Sequence, residues 1–429
     1  MVRHTERRPT ITHDTGATAT TARPDPIPAL TGLRIVGAAW VFSLHFQHTI
    51  FNAFPQLRIF EPLFSRGELG VPLFFVLSGF IIWHNYGSRS LLAPRPTLRF
   101  LWRRFARLWP VNVATALLIL PVTWWSVTIQ GNFGDPIPDW LNVGDWLRSV
   151  FMVYNIGQAE LSFAWNGPAW SLSAEMVAYL VFPVLLALLL ASRATRLRMT
   201  WIWAPIALLL AYAIFDRSVL FPSRWLVELI LMFTVGVLLR MSGIARGWVV
   251  ALASVVQVAA PAAIVLVCYV GGGQFLVALL GAWIWSLAAP RGPGVWLFSL
   301  RGLQVAGLSS YSLYMLHGIV IGYGTVLLVT FPSLQTRLLP WYAVGLVLAL
   351  CVASWASYRF YETPARKLLN RVFERMWPRR VDPDNLDGFD VSQTEIVGVE
   401  DVRDEHSREG TDRPEAAKDE ALEQAPDKN

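Results

Sequence analysis

An arginine and a histidine, Arg34 and His45, stand eleven residues apart in an early apolar segment, LTGLRIVGAAWVFSLHF. A helix turns once in 3.6 residues, so it places both side chains on one face, roughly 16 Å apart along its axis. Burying an ionisable side chain among apolar residues is costly, which makes such a residue a candidate for function. The structural alternatives are an arginine that snorkels to a membrane surface and a histidine that bonds a neighbouring helix.

A basic stretch with aromatic residues follows, Arg103-Arg104-Phe-Ala-Arg107-Leu-Trp-Pro110. Guanidinium groups bind phosphate through paired hydrogen bonds and stack on flat rings. The stretch therefore predicts a site for an anionic phosphate group attached to a ring system. A basic segment that binds anionic lipid headgroups beside a membrane is an equally good alternative.

A carboxylate stands in the segment Trp170-Ser-Leu-Ser-Ala-Glu175, near the start of another apolar run. Glu175 lies roughly 9 Å from that end of the run, and His45 lies a similar distance from the outer end of its own segment. The two side chains are therefore predicted to share one depth. A carboxylate that orients an imidazole base toward a hydroxyl is a common catalytic arrangement, and a purely structural His–Glu pair is the alternative.

Two other motifs bring polar groups into apolar segments. The run ELGVPLFFVLSGF ends with Ser78-Gly79, whose small side chains let a second helix backbone approach closely. In a later run Tyr311, Tyr314 and His317 are spaced by three residues, which places them on neighbouring parts of one helix face. Glu362, in the segment YETP near the end of the last apolar run, is interpreted as structural.

The composition is that of a membrane protein. Of 429 residues, 54% are hydrophobic and only 15% are charged, whereas a soluble domain carries about a quarter charged residues. The net charge of +6 does not indicate nucleic acid, because the basic residues fall in short loops between apolar runs. Cys268 and Cys351 both lie in apolar segments and are predicted to be reduced packing residues.

The apolar runs predict an all-α integral membrane protein with about ten transmembrane helices, since ~20 residues are needed to cross the hydrocarbon. The predicted spans lie near residues 30–51, 69–87, 109–129, 169–191, 201–215, 225–241, 248–270, 273–290, 306–330 and 340–360. The segment 146–156 is amphipathic and is predicted to lie in the membrane interface. No internal repeat is visible.

The distribution of Lys and Arg predicts the orientation. With the N-terminus in the cytoplasm, 24 of these residues fall in inside segments and six in outside loops, which favours ten spans with both termini inside. Residues 1–28 lack the apolar core of a signal peptide and are predicted to be a disordered cytoplasmic arm. Residues 29–368 are predicted to form the membrane domain, and 369–429 a basic then acidic disordered cytoplasmic tail.

The motifs, taken in order, resemble acyltransferase family 3, the bacterial integral-membrane O-acyltransferases. The resemblance covers about residues 29–368 and rests on Arg-x10-His, Gly-x-x-Gly-Val-x-Leu-Phe-Phe-x-Leu-Ser-Gly-Phe, Arg-x-x-Arg, Trp-Ser-Leu-x-x-Glu, Ser-Tyr-Ser-Leu-Tyr-x-x-His and Glu-x-Pro. One departure is Pro72, which stands where many members carry Asp after Gly-Val.

The resemblance implies an enzyme of the bacterial cytoplasmic membrane. Its members take an acyl group, often acetyl, from cytoplasmic acyl-CoA and pass it to a hydroxyl of a sugar or a glycosylated metabolite. Their acceptors include surface polysaccharides, peptidoglycan, lipid-linked sugars and macrolides. The expected partners are acyl-CoA, such an acceptor and membrane lipids, with no nucleic acid, no permanently bound cofactor and no metal.

The resemblance also implies roles for particular residues. The catalytic candidates are His45, Arg34 and Glu175. The candidates for binding the CoA donor are Arg103, Arg104, Arg107 and Ser78. The candidates for binding the acceptor are Trp170, Tyr311 and His317. In this assignment His45 takes the proton of the acceptor hydroxyl or handles the acyl donor, and Glu175 orients or assists it.

Three other functions have similar sequence features. A polytopic transporter also has about ten spans with buried charges, although the internal repeats common in transporters are not visible here. An exporter of a modified glycan or metabolite is a second alternative, and a non-catalytic scaffold that tolerates loss of Arg34 and His45 together is a third. Acyl-CoA hydrolysis or acyl transfer by the purified protein separates the enzyme from these alternatives.

Overall fold

A computed structural model describes residues 24–87, 91, 93–130, 142–158, 165–192, 224–271 and 276–378. These residues form α-helices joined by turns, with no strand among them, which confirms the all-α prediction. The helices are α1 Pro28–Ala53, α2 Gly70–Tyr86, α3 Pro94–Trp125, α4 Val143–Val150, α5 Trp170–Ser192, α6 Arg224–Met241, α7 Val249–Val270, α8 Leu276–Leu287, α9 Pro293–Phe298, α10 Arg301–Leu308, α11 Ser310–Thr330, α12 Leu339–Ala356 and α13 Thr363–Met376. Short helical turns lie at Pro55–Phe60, Glu61–Phe64, Gly67–Leu69, Gly167–Ala169 and Pro332–Gln335, and π-helical turns at Ser126–Gln130 and Ser357–Glu362.

Seven helical segments of the described chain are long and apolar enough to cross a membrane. Each predicted span except one coincides with a helix, and the exception, 201–215, lies outside the described residues. Helix α8 has 12 residues and is about 18 Å long, shorter than the ~30 Å hydrocarbon layer. The total of ten spans and the orientation of the termini stay predictions.

Helix α3 begins 15 residues before the predicted start of its span. Pro110 lies buried inside the helix, as proline can within a membrane protein whose neighbouring helices satisfy the freed groups. The carbonyl oxygen of Pro110 accepts a hydrogen bond from the Tyr361 hydroxyl at 3.0 Å. With 32 residues α3 is about 48 Å long, which exceeds the ~30 Å hydrocarbon layer, and its basic first half is expected to be the part that extends beyond the layer.

Helices α2 and α6 pack against each other most closely at a pair of glycines. A Cβ atom on Gly79 would lie 1.9 Å from the carbonyl oxygen of Phe233, and one on Gly236 would lie 1.9 Å from that of Val76. No side chain fits such a gap, so each helix presents its backbone to the other. The close approach predicted for the Ser78-Gly79 pair is therefore confirmed at Gly79, and it fixes the helix that carries Ser78.

Helix α13 is held against the first half of α3. The rings of Trp102 and Phe373 stack with centroids 5.1 Å apart, and the Trp102 indole N–H donates to the carbonyl oxygen of Leu369 at 3.3 Å. Because of these contacts the helix continues to Met376, past the domain boundary predicted at residue 368. The predicted arm lies mostly, and the acidic part of the predicted tail entirely, outside the described residues.

The amphipathic segment predicted at 146–156 contains helix α4. The Asn142 side chain caps it by accepting a hydrogen bond from the Asp145 amide at 2.7 Å, and Val143 and Leu147 are exposed. Its position in the membrane interface stays a prediction. The two cysteines, Cys268 and Cys351, are free, as predicted; Cys268 is buried, as expected for a packing residue, whereas Cys351 is exposed.

Candidate functional site

A cavity lies among helices α1, α2, α3, α5 and α11. Its volume is about 100 Å³. Six of the site residues predicted from the sequence line it: Arg34, Ser78, Arg104, Arg107, Glu175 and Tyr311. Motifs that are far apart in the chain therefore meet at one place in the fold.

The guanidinium of Arg104 lies among three aromatic rings. Its central carbon is 5.7 Å from the ring centre of Tyr86, 5.8 Å from that of Phe100 and 5.7 Å from that of Tyr179. Arginine pairs with ring faces in this way when its charge is shielded from water. Arg104 is buried, and its Nε has no hydrogen-bond partner within the described part of the chain. The positive charge of Arg104 is thus held at the cavity wall, and its Nε–H can still donate a hydrogen bond to a ligand.

Four arginines and two carboxylates share the region around the cavity. Their electrostatic interactions connect Arg34, Arg104, Arg107, Arg366, Glu175 and Glu362. Four positive groups against two negative ones leave an excess of positive charge in a region of low dielectric constant. Such a region attracts anions.

Glu362 is a member of this cluster that the sequence analysis interpreted as structural. It is buried and accepts a hydrogen bond from the Ser312 hydroxyl at 2.7 Å, and Ser312 lies 3.0 Å from the Ser357 hydroxyl. A buried carboxylate needs such donors and a nearby positive charge. The sequence could have indicated a buried carboxylate here, because Glu362 stands at the end of an apolar run that also carries Ser357, two residues before Pro364.

Glu175 and Ser78 meet at Tyr179. The Tyr179 hydroxyl hydrogen-bonds the Glu175 carboxylate one helical turn away, and it lies 3.4 Å from the Ser78 hydroxyl. Tyr179 is buried and was not singled out from the sequence. It connects α5 with α2 at the cavity wall and packs beside Arg104. Tyr179 therefore helps to hold Glu175, Ser78 and Arg104 in position.

His45 lies against His317, with the ring centroids 5.1 Å apart. The pairing of His45 with Glu175 expected from their depth is not among the contacts of the described residues. Depth along a helix says nothing of the direction in which a side chain points, and Glu175 points to Tyr179. His45 is exposed, whereas His317 is buried, so the pair joins the surface of the molecule to its interior.

Backbone contacts fix the tautomers of both histidines. The Nδ1 atom of His45 lies 2.9 Å from the carbonyl oxygen of Val41, and that of His317 lies 2.6 Å from the carbonyl oxygen of Tyr314. A carbonyl oxygen only accepts, so each Nδ1 carries the hydrogen. Each neutral ring therefore keeps a lone pair on Nε2, the form that a base requires.

Tyr314 connects the histidine pair to the cavity. Its ring lines the cavity and lies 5.9 Å from the His317 ring, centre to centre. Its hydroxyl lies 2.9 Å from that of Ser171, which also lines the cavity, and 3.2 Å from the carbonyl oxygen of Pro168. The chain of contacts runs from the cavity through Tyr314 and His317 to His45.

Three predicted site residues make other contacts. Arg103 lies 3.7 Å from Glu374 of α13, in an ion pair outside the cavity lining. Trp170 packs edge-to-face on Trp225 with ring centres 5.9 Å apart. Tyr311 lines the cavity, but its hydroxyl donates to the carbonyl oxygen of Leu108 at 2.6 Å, so only its lone pairs remain for a ligand.

Comparison with known proteins relates the chain to acyltransferases. It is 30% identical over 164 residues to the acyltransferase MdmB of Streptomyces mycarofaciens, an alignment that covers 37% of this chain and 38% of that protein. It is 26% identical over 382 residues to the peptidoglycan O-acetyltransferase OatA of Listeria monocytogenes, which covers 80% of this chain and 56% of OatA.

The putative peptidoglycan O-acetyltransferase YrhL of Bacillus subtilis is 26% identical over 391 residues, which cover 81% of this chain and 56% of that protein. The alignments thus cover 56% of OatA and of YrhL and 38% of MdmB, so the chain spans about half the length of these relatives or less. No solved structure matches the chain. The family model described as an acyltransferase domain matches residues 27–358, so the chain belongs to acyltransferase family 3.

Proposed function

We propose that the protein is a membrane O-acyltransferase that moves an acyl group from acyl-CoA to a hydroxyl of a carbohydrate or glycosylated acceptor. The observation that carries the proposal is the cavity, which combines buried arginines with a route of contacts to a histidine in its basic tautomer. Family membership supports acyl transfer, and the site supplies groups for an anionic donor and for a hydroxyl nucleophile.

The donor fits the arginine side of the cavity. CoA carries phosphate groups and an adenine ring, and guanidinium groups bind phosphate while aromatic rings stack on bases. Arg104 and Arg107 lie on α3 close to the point where that helix leaves the hydrocarbon layer, so the phosphates can stay near the aqueous end. The thioester arm then extends through the cavity past Arg34 and Ser78 and along Tyr314 to the histidine pair, which brings the thioester carbon to His45.

His45 supplies the base. The acceptor oxygen attacks the thioester carbonyl carbon, and the hydroxyl proton passes to Nε2 of His45. The C–S bond then breaks, and the thiolate takes the proton from the imidazolium, which leaves an ester, free CoA thiol and neutral His45. His45 is exposed, so an acceptor reaches it without passing through the cavity.

The acceptor class follows from the relatives and stays broad. OatA is named for peptidoglycan O-acetylation, and MdmB is named only as an acyltransferase. A cell-envelope glycan and a glycosylated secondary metabolite both offer the sugar hydroxyl that the mechanism needs. We place the protein in a bacterial cytoplasmic membrane, with acetyl as the acyl group to test first.

Sealed vesicles test the donor and its side of entry. Purified protein is reconstituted, and acetyl-CoA with a labelled acetyl group is offered either inside or outside, with glycan acceptor present. Transfer is expected when acetyl-CoA faces the arginine-rich end of the molecule, and release of free CoA separates an enzyme from a transporter. Equally fast transfer from either side would overturn the proposed donor route.

Neighbouring arginines provide a matched comparison in the same assay. Arg104→Lys is expected to raise the KM for acetyl-CoA about tenfold or more, since a hydrogen bond to a charged group contributes about 1.5–3 kcal/mol. Arg103→Lys keeps the charge that faces Glu374 outside the cavity and is expected to leave that KM within about twofold. Equal effects of both substitutions would count against a donor site at Arg104.

A further inference from the structure

Helix α13 exposes two parallel stripes of different chemistry. One stripe is basic and the other apolar, each with a residue at every fourth position, which aligns its members along the helix. The basic stripe consists of Lys367, Arg371 and Arg375, all exposed. The apolar stripe consists of Leu368, Val372 and Met376, which are 57%, 40% and 67% exposed. A water-facing helix has no reason to expose the second stripe.

The opposite face of α13 is fixed to α3. Phe373 is buried and stacks on Trp102, Glu374 pairs with Arg103, and the Arg99 side chain donates to the carbonyl oxygen of Trp377 at 3.4 Å. The two stripes therefore cannot turn inward. They remain on the outside of the molecule whatever covers them.

The length of the helix places α13 at the membrane surface. The apolar helical segment from Leu339 to Met376 has 38 residues and is about 57 Å long if straight, whereas the hydrocarbon layer is ~30 Å thick. Helix α12 alone, with 18 residues, nearly crosses that layer. Helix α13 must therefore lie in the headgroup region or beyond it.

We propose that α13 lies in the headgroup region of an anionic leaflet, with its basic stripe on lipid phosphates and its apolar stripe at the acyl-chain boundary. Helices that combine a basic and an apolar face bind membranes in this way. The free phosphates of a nucleotide would explain the basic stripe but not the apolar one, so the lipid is the occupant that both stripes fit. This surface is separate from the cavity and does not depend on the proposed function.

Spin-labelled lipids test the binding. The protein is reconstituted in vesicles of phosphatidylcholine with phosphatidylglycerol, and the fraction of each labelled lipid immobilised by the protein is measured by electron paramagnetic resonance. The wild type is expected to prefer phosphatidylglycerol. The triple variant Lys367→Ala, Arg371→Ala, Arg375→Ala is expected to lose most of that preference, since each basic group near the surface strengthens binding about fivefold at low salt.

A variant with the same charge change elsewhere is the control. Arg246→Ala, Arg291→Ala and Arg301→Ala remove three exposed arginines from turns and from the first residue of α10, and this variant should keep the preference for phosphatidylglycerol. Equal losses in both triple variants would overturn the proposal, because net charge alone would then explain the preference. Loss of the wild-type preference on addition of CoA would also overturn it, since the stripe would then bind the nucleotide.

A second measurement reports depth without using lipid preference. Spin labels are attached to Leu368→Cys and to Arg371→Cys in a background with Cys268→Ser and Cys351→Ser. The label at 368 is expected to be more accessible to oxygen, which concentrates in the acyl region, and the label at 371 to a water-soluble nickel chelate. Equal accessibility of both labels to the nickel chelate would show a helix surrounded by water and overturn the proposal.

Discussion

At the residue scale, two histidines have the same tautomer and opposite exposure. His45 and His317 both commit Nδ1 to a backbone carbonyl, and both keep Nε2 as an acceptor. His45 is exposed and His317 is buried, so only His45 offers its lone pair to a ligand that arrives from outside. The tautomer of the proposed base, His45, is therefore set by helix backbone rather than by a carboxylate.

Removal of the base should slow the chemical step. His45→Ala is expected to lower kcat for acyl transfer by roughly 10²–10⁴-fold, the usual contribution of a general base. The KM for acetyl-CoA should change little, since His45 lies outside the lining of the cavity that we propose for the donor. Steady-state kinetics in proteoliposomes measure both constants.

His48 provides the control for this substitution. It is also an exposed histidine of α1, one turn further along, and His48→Ala should leave kcat within about twofold. If His45→Ala kept near-normal turnover, or if both variants were equally slow, the assignment of His45 as the base would fail.

At this scale the sequence predicted residue types well and directions poorly. The family resemblance implied a binding role for Arg104 and Arg107, and both line the cavity. The adjacent Arg103 was indistinguishable by spacing, and only the packing of α13, which supplies Glu374, turns it away. Likewise the depth of Glu175 could be counted along its helix, but its direction is set by Tyr179.

At the scale of elements, the packing of α2 against α6 matters most for the site. The cavity side of α2 carries Phe74, Ser78 and Ile81, whereas its other side carries Gly79 against α6. A shift of α2 away from α6 would therefore narrow the cavity. The glycine contact acts on the site through the position of the helix.

Gly79→Ala should destabilise the protein. The added Cβ would meet the Phe233 carbonyl oxygen at 1.9 Å, so the helices must separate, and overpacking of this kind costs about 1–3 kcal/mol. Gly236→Ala, on the facing helix, should have a similar effect. A lower unfolding temperature in detergent is the measurement.

Gly345→Ala is the matched control. Gly345 also lies inside a long apolar helix, α12, but nothing lies within 4 Å of a Cβ atom there. Alanine is favoured over glycine inside a helix by roughly 0.5–1 kcal/mol, so this variant should be as stable as the wild type or more so. A lower unfolding temperature for Gly345→Ala than for Gly79→Ala would contradict the packing argument.

The elements themselves were largely predictable, and their ends were not. Every predicted span in the described part of the chain coincides with a helix, because ~20 consecutive apolar residues are a strong signal. The predicted span 109–129 covers only the later part of α3, because the arginines before Pro110 lower the hydropathy of the first part although the helix begins at Pro94. The extension of α13 to Met376 depends on Trp102, which is remote in sequence.

At the scale of the whole molecule, the arginine-rich parts of α3 and α13 lie together, whereas His45 lies eleven residues beyond Arg34 along α1 and packs against His317 of α11. The predicted orientation places the arginines on the cytoplasmic side, where 24 basic residues were counted against six outside. In the proposed mechanism the donor enters at the arginine-rich end and the acceptor reaches His45. The orientation of the protein therefore determines on which side of the membrane each substrate must be present.

Cysteine labelling tests that orientation. In a background with Cys268→Ser and Cys351→Ser, Ser242→Cys lies in the turn between α6 and α7 and Ser333→Cys in the turn between α11 and α12, and both positions are exposed. A membrane-impermeant maleimide added to intact cells should label position 333 and leave position 242 unlabelled until the cells are opened. The reverse pattern would invert the topology, and labelling of both positions would contradict alternating spans between them.

The contrast between an exposed His45 and arginines set in a cavity wall has a kinetic consequence. If the two substrates enter by separate routes, each can bind whether or not the other is present. Both can then be bound in one ternary complex before the acyl group is transferred. Product CoA would then compete with acyl-CoA but not with the acceptor, and initial rates would give intersecting rather than parallel double-reciprocal lines. The kinetic scheme thus follows from two side chains of a single helix, since Arg34 lines the cavity whereas His45 is exposed.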